Sequence, residues 1–319
     1  MDRNLALEFV RVTEAAALAS ARWVGKGDRH AADQAACDAM RSALCNMDIA
    51  GYIAIGEGER DEAPMLYIGE EVGTGNGPRI DIAVDPLEGT NLCANGVPNA
   101  ISVLAAAVQG DGSLMHAPDC YMDKLVVSEA AKGAIDITLP PTANLKAIAR
   151  CLGKPVDELT IGILDRPRHE KLISEIRRAG ARIRLVGDGD ITLGLAAIDE
   201  QSGIDALFGI GGAPEGVITA AAVRAYGGDM QARLVFRNDE ERERAARMVK
   251  GDIDRVLYVD DLASGNVMFA ATGITSGDIL KGVRFTANGA YTESLVMRSA
   301  TGTVSRIETR HRFTHLPKF

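Results

Sequence analysis

The stretch Ile80-Asp81-Ile82-Ala83-Val84-Asp85-Pro86-Leu87-Glu88-Gly89-Thr90-Asn91 decides how the chain reads. Its first half is β-branched and apolar, the pattern of a buried strand. Pro86 cannot extend a central strand, so the chain is expected to leave the sheet there. Asp85 and Glu88 then sit at a strand's carboxyl end, where open α/β sheets place their ligands. Gly89 lets backbone N–H groups face an anion, and Thr90 adds a hydroxyl beside them. Two carboxylates over such a nest repel a phosphate unless a divalent cation lies between them. The stretch points to metal-assisted phosphate chemistry, with further ligands to be supplied elsewhere.

A chain of 319 residues can bury a sizeable core and is expected to split into two domains. The formal charge of −9 argues against nonspecific binding to nucleic acid or anionic membranes. Asp2, Arg3 and Glu8 interrupt any apolar core of a leader, and no apolar run approaches the roughly 20 residues of a membrane span. The five cysteines are odd in number and form no C-x-x-C pair, which suits reduced thiols and a cytoplasmic setting.

Helical spacing predicts a helix over residues 4–22 and a second from Ala31 to Met47, with Asp33 in its first turn. Taken alone, Asp33 reads as an acid favouring the helix dipole. Tyr52 to Ile55 is a short strand that opens into the Gly-punctuated acidic loop Gly56-Glu57-Gly58-Glu59-Arg60-Asp61-Glu62. Glu57 thus repeats the strand-to-acid pattern of Asp85. Pro64 to Gly69 and Ala100 to Val108 read as extended, and Gly110-Asp111-Gly112 as a hairpin turn. Leu125 to Val127 and Ala134 to Ile137 follow as strands. The boundary is expected at Pro140-Pro141, giving domains 1–140 and 141–319. Beyond it strands and helices alternate as in a parallel or mixed sheet, Glu240 to Lys250 being a solvated helix. Strands from about residue 264 either extend the second sheet or return to the first domain.

Acids recur at strand ends in the second half. Val186-Gly187-Asp188-Gly189-Asp190 closes one strand, and Gly209-Ile210-Gly211-Gly212-Ala213-Pro214-Glu215 closes another. Proline at 214 and the absence of a following ribose-binding acid exclude a dinucleotide fingerprint. Alone, Asp188 and Asp190 read as helix caps and Glu215 as a dipole acid. Lys26, Arg29 and His30 precede the helix of Asp33, and Arg166-Pro167-Arg168-His169 follows another strand. Such arginines suit phosphate, or are simply exposed loop residues.

Asp85 to Thr90 resembles the metal-binding signature of the lithium-sensitive sugar and inositol phosphatases. More closely, Trp23 to Arg41, Ile55 to Glu71, Ile80 to Asn91, Asp165 to Glu170 and Gly209 to Gly216 resemble the class II, GlpX-type bacterial fructose-1,6-bisphosphatases. The resemblance covers nearly the whole chain. It implies an α/β sugar-phosphatase fold of alternating helix and mixed-sheet layers, and hydrolysis of the 1-phosphate of fructose 1,6-bisphosphate in gluconeogenesis. Members of the family also act on sedoheptulose 1,7-bisphosphate, which stands as a second candidate substrate. The implied metal ligands are Asp33, Glu57, Asp85, the carbonyl of Leu87, Glu88 and Glu215, a hard oxygen set for Mg²⁺ or Mn²⁺.

The resemblance assigns substrate contacts to Glu88, Gly89, Thr90, Tyr121, Arg166, Pro167, Arg168, Asp188, Gly189, Asp190 and Gly212. The family commonly carries lysine at 29 and 166, so arginine there keeps the charge and alters the geometry. Thr90 is expected to orient the attacking water and Glu57 or Asp61 to take its proton. Arg29 would neutralise phosphoryl charge, and Tyr121, Arg166 and Arg168 would hold the remote phosphate. A homo-oligomer, dimer or tetramer, is expected, with no nucleic-acid or membrane partner. The rivals are an inositol- or nucleotide-type monophosphatase on the same metal site and a non-catalytic sugar-phosphate sensor. Cys93, close to Thr90, reads as a buried inert thiol.

Overall fold

Apolar alternation from Ile80 carries through to Glu88, and Pro86 does not end the strand. The neighbouring strand explains why. Asp85 lies opposite Val103 and Glu88 opposite Ile101, so Pro86 and Leu87 together face one residue across a bulge. A bulge spares its residues from the ladder, which is where a proline without an N–H can be accepted.

The computed structural model describes residues 5–58, 65–249 and 251–313. Asn4, residues 59–64 (the predicted site residue Asp61 among them) and Lys250 lie outside the described residues. The first elements are α1 (Leu5–Ser20), α2 (Arg29–Cys45), β1 (Ala50–Ile55), β2 (Glu71–Val72), β3 (Arg79–Glu88), α3 (Thr90–Asn95) and β4 (Ile101–Leu114). There follow β5 (Tyr121–Val127), α4 (Pro141–Leu152), β6 (Thr160–Leu164), α5 (Glu170–Arg178), β7 (Arg182–Val186), α6 (Asp190–Ile198), β8 (Ala206–Gly212) and α7 (Ala213–Tyr226). The rest are β9 (Asp229–Val235), α8 (Asp239–Met248), β10 (Leu257–Tyr258), α9 (Val259–Leu262), β11 (Ala263–Gly273), β12 (Arg284–Thr286), β13 (Gly289–Arg298) and β14 (Thr303–Arg312).

Two compact units result, each a mixed sheet with helices, in the expected α/β class. The first comprises the residues up to Leu114 and those from Gly265 onward, and the second Met115–Ser264. The chain thus divides at Leu114 rather than Pro140, because β5 pairs with β8 and β9. The strands from β11 onward join the first sheet, whose order is β12-β13-β11-β4-β3-β1-β2 with β14 beside β13. Phe9, Val10 and Ala17 of α1 and Met40 and Leu44 of α2 are buried in one cluster with Ile82, Leu104 and Val296. The second sheet runs β10-β9-β5-β8-β6-β7, with β6 parallel to both β7 and β8.

Other sequence expectations are corrected by particular contacts. β4 runs straight through Gly110-Asp111-Gly112, where the Asp111 carboxylate accepts from Asn266 at 2.7 Å, so no hairpin forms there. Ala134 to Ile137 is not a strand: the N–H groups of Asp136 and Ile137 donate to the side chains of Asn144 and Gln231. Met65 to Gly69 is bend and turn, with the Leu66 N–H bound by Glu70. Helix α2 begins at Arg29, capped by Asp28, whose carboxylate accepts from the Ala31 N–H at 3.0 Å. Asp33 therefore lies beyond the first turn and is not the dipole acid of this helix.

Candidate functional site

Parallel pairing of β1 with β3, which sets Ile55 opposite Ala83, brings two strand-end acids to one end of the first sheet. Glu57 and Asp85 each lie two residues past that pair. Helix α2 adds Asp33 and, one turn on, Cys37. One ligand atom from each of Asp33, Cys37 and Glu57 lies within 4.8 Å of the others. Burial raises the Cys37 thiol far above its usual range, and the carboxylates of Glu57, Asp33 and Asp85 add to this, with a hydrogen bond to Glu57. It is therefore a protonated donor. Burial also raises the Asp33 carboxyl, with His30 opposing. Acids held in this way fit a divalent cation, which would offset the cost of desolvating them.

The turn after the bulge is bound locally. Asp85 Oδ1 accepts from the Leu87 N–H at 3.1 Å, and Thr90 Oγ1 donates to the Leu87 carbonyl at 3.2 Å. That carbonyl keeps a second lone pair. Gly89 precedes α3 at φ 82°, ψ 49°, the left-handed conformation that glycine adopts without strain. Glu88 is buried. Arg29 is exposed at the start of α2, its Nε donating to His30 Nε2 at 3.4 Å. Cys93 is buried, which pushes its thiol up to about 11 and makes it inert at neutral pH.

In the second unit, the glycines ending β8 form a cradle. A Cβ on Gly212 would stand 1.8 Å from Glu215 Oε2, and one on Gly211 2.0 Å from Asp190 Oδ2. Two carboxylates thus lie directly on the backbone. Glu215 is the third residue of α7, and its Oε2 is sealed from solvent without a hydrogen-bond partner. Burial raises this carboxyl, Lys124 opposing and Asp190 reinforcing the rise. An orphaned carboxylate oxygen is again a place for a cation.

Lys124 of β5 is 1% exposed, forms an ion pair with Asp190 and donates to the Gly212 carbonyl at 2.7 Å. Asp190 therefore answers a buried ammonium and is not a cap: Gly189, in the left-handed region, precedes α6 with no side-chain cap bond. No sequence motif marks Lys124. The available signal was its phase, since Met122, Lys124 and Val126 share one face of a central strand and all are buried.

Strands β6 and β8 pair only at Ile161–Ala206 and Gly162–Leu207. Beyond that, His169 bridges them: Nδ1 lies 2.7 Å from the Leu164 carbonyl, and Nε2 accepts from the Ile210 N–H at 2.7 Å. The neutral ring with its proton on Nδ1 satisfies both contacts. The basic loop between β6 and α5 surrounds this opening. Arg168 donates from Nε and Nη2 to the Ile210 carbonyl at 3.0 and 2.8 Å, and its guanidinium lies 4.6 Å from the Tyr121 ring centroid. Arg166 reaches Asp188 at 3.7 Å, and Pro167 begins the 3₁₀ turn ending at His169. Tyr121 pairs with Gly212 in the ladder. Arg237, which no motif marks, lies 5.0 Å from the same tyrosine ring. The second unit thus gathers Tyr121, Arg168, Asp190, Gly212 and Glu215, and the first gathers Asp33, Glu57, Asp85 and Thr90.

Among the described residues, no helix is long and apolar enough to cross a membrane. Residues 3–311 match the model of the bacterial, glpX-encoded fructose-1,6-bisphosphatase family. The chain is 49% identical to the fructose-1,6-bisphosphatase 1 class 2 of Escherichia coli strain K12, over 98% of this chain and 96% of that protein. Identity and coverage are the same for the fructose-1,6-bisphosphatase class 2 of Shigella flexneri.

Proposed function

Because the chain belongs to the bacterial, glpX-encoded fructose-1,6-bisphosphatase family, we propose that it hydrolyses the 1-phosphate of fructose 1,6-bisphosphate, yielding fructose 6-phosphate and phosphate. The observation that carries the chemistry is the set of desolvated carboxylates, above all the sealed Oε2 of Glu215. Asp33, Glu57, Asp85, Glu88 and the Leu87 carbonyl would hold Mg²⁺ or Mn²⁺, and in the second unit Glu215 would offer a further carboxylate oxygen to a cation. When bound, the cation polarises the phosphoryl oxygens and makes water more acidic.

The protein's own groups do the rest. Thr90 Oγ1 orients the attacking water, and Glu57 or Asp61 accepts its proton. Arg29 and the N–H groups of Gly89 and Thr90 offset charge that grows on the phosphoryl group. Tyr121, Arg166 and Arg168 hold the remote phosphate, and Asp188 and Asp190 accept from the sugar hydroxyls, with Pro167, Gly189 and Gly212 shaping the backbone beside them, so that binding energy serves positioning. A cytoplasmic homo-oligomer is the form expected to act. The test is phosphate release from fructose 1,6-bisphosphate, sedoheptulose 1,7-bisphosphate, inositol 1-phosphate and a nucleoside monophosphate, each with Mg²⁺ and with Mn²⁺. Preference for the ketose bisphosphates supports the reading. Preference for a monophosphate replaces it with a sibling chemistry, and tight binding without turnover replaces it with a sensor.

A further inference from the structure

The turn that carries Arg166, Pro167 and Arg168 is fastened by the residue that closes it. His169 is 1% exposed. Its backbone N–H donates to the Arg166 carbonyl at 2.9 Å, Nδ1 meets the Leu164 carbonyl at the end of β6, and Nε2 accepts from the Ile210 N–H of β8. Past Gly162 opposite Leu207 these two strands no longer pair, and the imidazole stands in for the missing ladder bonds. Gly209 makes room for it. This glycine has φ 133°, and a Cβ there would stand 3.0 Å from His169 Nε2.

Arg168 and His169, neighbours in the turn, grip the same residue of β8. His169 takes the Ile210 N–H, and Arg168 donates twice to the Ile210 carbonyl, from Nε and Nη2. That use leaves the N–H groups on Nη1 for an anion. Farther along β8, Gly212 stands opposite Tyr121, whose ring centroid lies 4.6 Å from the Arg168 guanidinium. The place of the guanidinium beside Tyr121 is thus set through the backbone of Ile210. We propose that His169 is a positioning residue for the remote phosphate: by accepting from the Ile210 N–H it fixes the strand segment against which Arg168 rests. The inference rests on the sugar-bisphosphate reading above and extends it to a side chain that meets no substrate.

The contact carries a proton dependence. Protonation of the neutral ring falls on Nε2 and turns a donor toward the Ile210 N–H, so the grip on that residue is lost. The charged groups that bear on the ring are Arg168 of its own turn, Asp123 of β5 and Asp190 of α6. Burial, the leading effect, and Arg168 draw the ring's pKa down, while the Leu164 carbonyl and the two acids oppose. The net direction is downward, so the contact is intact above the ordinary 6.5 and is lost as the pH falls through the lowered folded value. Affinity for the remote phosphate follows the same course.

Calorimetric binding of fructose 6-phosphate to the full chain, which presents the remote phosphate alone, tests this. The proteins are the wild type, H169Q, H169N and G209A. H169Q can bring an amide oxygen to the Ile210 N–H, whereas H169N can bring an amide N–H to the Leu164 carbonyl and leaves Ile210 without its acceptor. H169N is expected to weaken binding roughly ten- to a hundredfold and H169Q by no more than about threefold. Each loses one hydrogen bond, so denaturation midpoints should fall in both; a merely structural role would make affinity follow stability. G209A presses a methyl group on the ring and should weaken binding as well, which reads the same contact without altering the histidine. Lowering the pH through about 6 should weaken binding to the wild type more than to H169Q, in which only the ligand's phosphate titrates. H169N that binds like the wild type, H169Q that loses as much as H169N, or matching pH curves overturn the proposal. A wild type that does not bind fructose 6-phosphate strikes the sugar-bisphosphate reading itself, and this inference with it.

Discussion

Lys124 and Asp190 form an ion pair inside the second unit, with the lysine side chain wholly withdrawn from solvent. The same ammonium donates to the Gly212 carbonyl, beneath the glycine on which Glu215 rests. A buried charge left without its partner is costly. Lys124→Met should therefore lower stability by about 3–5 kcal/mol, and Lys124→Met with Asp190→Asn should recover most of the loss. Urea denaturation followed by circular dichroism reads both. Equal losses in the single and double variants would mean that packing, not charge, fixes Lys124.

Gly212→Ala places a methyl group where Glu215 Oε2 now lies, at 1.8 Å. The carboxylate must move, so divalent-cation affinity measured by calorimetry should fall by about tenfold or more while the helix content is kept. Unchanged affinity in this variant would remove Glu215 from the ligand set.

Thr90 Oγ1 donates to the Leu87 carbonyl and sits beside the bulge that carries Asp85. Thr90→Ala should reduce kcat on the order of 10²–10⁴-fold with cation binding preserved, and Thr90→Ser should retain much of the rate. Turnover like that of the wild type in the alanine variant would exclude a role for this hydroxyl in orienting water.

The Ile210 N–H aimed at His169 Nε2 requires a neutral ring, and burial draws its pKa below the ordinary 6.5, with the Leu164 carbonyl at Nδ1 opposing. The unfolded chain therefore takes up the proton first as the pH falls. Its contribution to stability is complete above about pH 6.5 and declines from there down to the lowered folded value. Denaturation midpoints measured across that window should fall for the wild type and fall less steeply for His169→Gln. Parallel curves for the two would show that another group governs the acid limb.

Much of this arrangement is legible in local sequence pattern, and the exceptions have physical causes. Glu57 and Asp85 are visible as acids that follow apolar runs, Glu57 two residues past the end of β1 and Asp85 inside β3 just before its bulge. Pro86 misleads, since the bulge that tolerates it is set by β4, distant in sequence. Gly110-Asp111-Gly112 looks like a hairpin, yet the strand continues because Asn266 and the residues beside it come from far along the chain. Cys37 gives no signal beyond its spacing from Asp33. Lys124 is concealed because an isolated lysine in a strand reads as solvent-facing until the buried acid that it pairs with is known.

The hydrolysis proposed for this chain depends on a divalent cation and removes one particular phosphate. The most direct measurement treats the chelator-stripped protein with fructose 1,6-bisphosphate, restores Mg²⁺ or Mn²⁺, and follows phosphate and the sugar product together by ³¹P NMR. No release is expected before the cation is added, and then one phosphate per substrate with fructose 6-phosphate as the product. Fructose 1-phosphate as the product, or equal release with and without the cation, would contradict it.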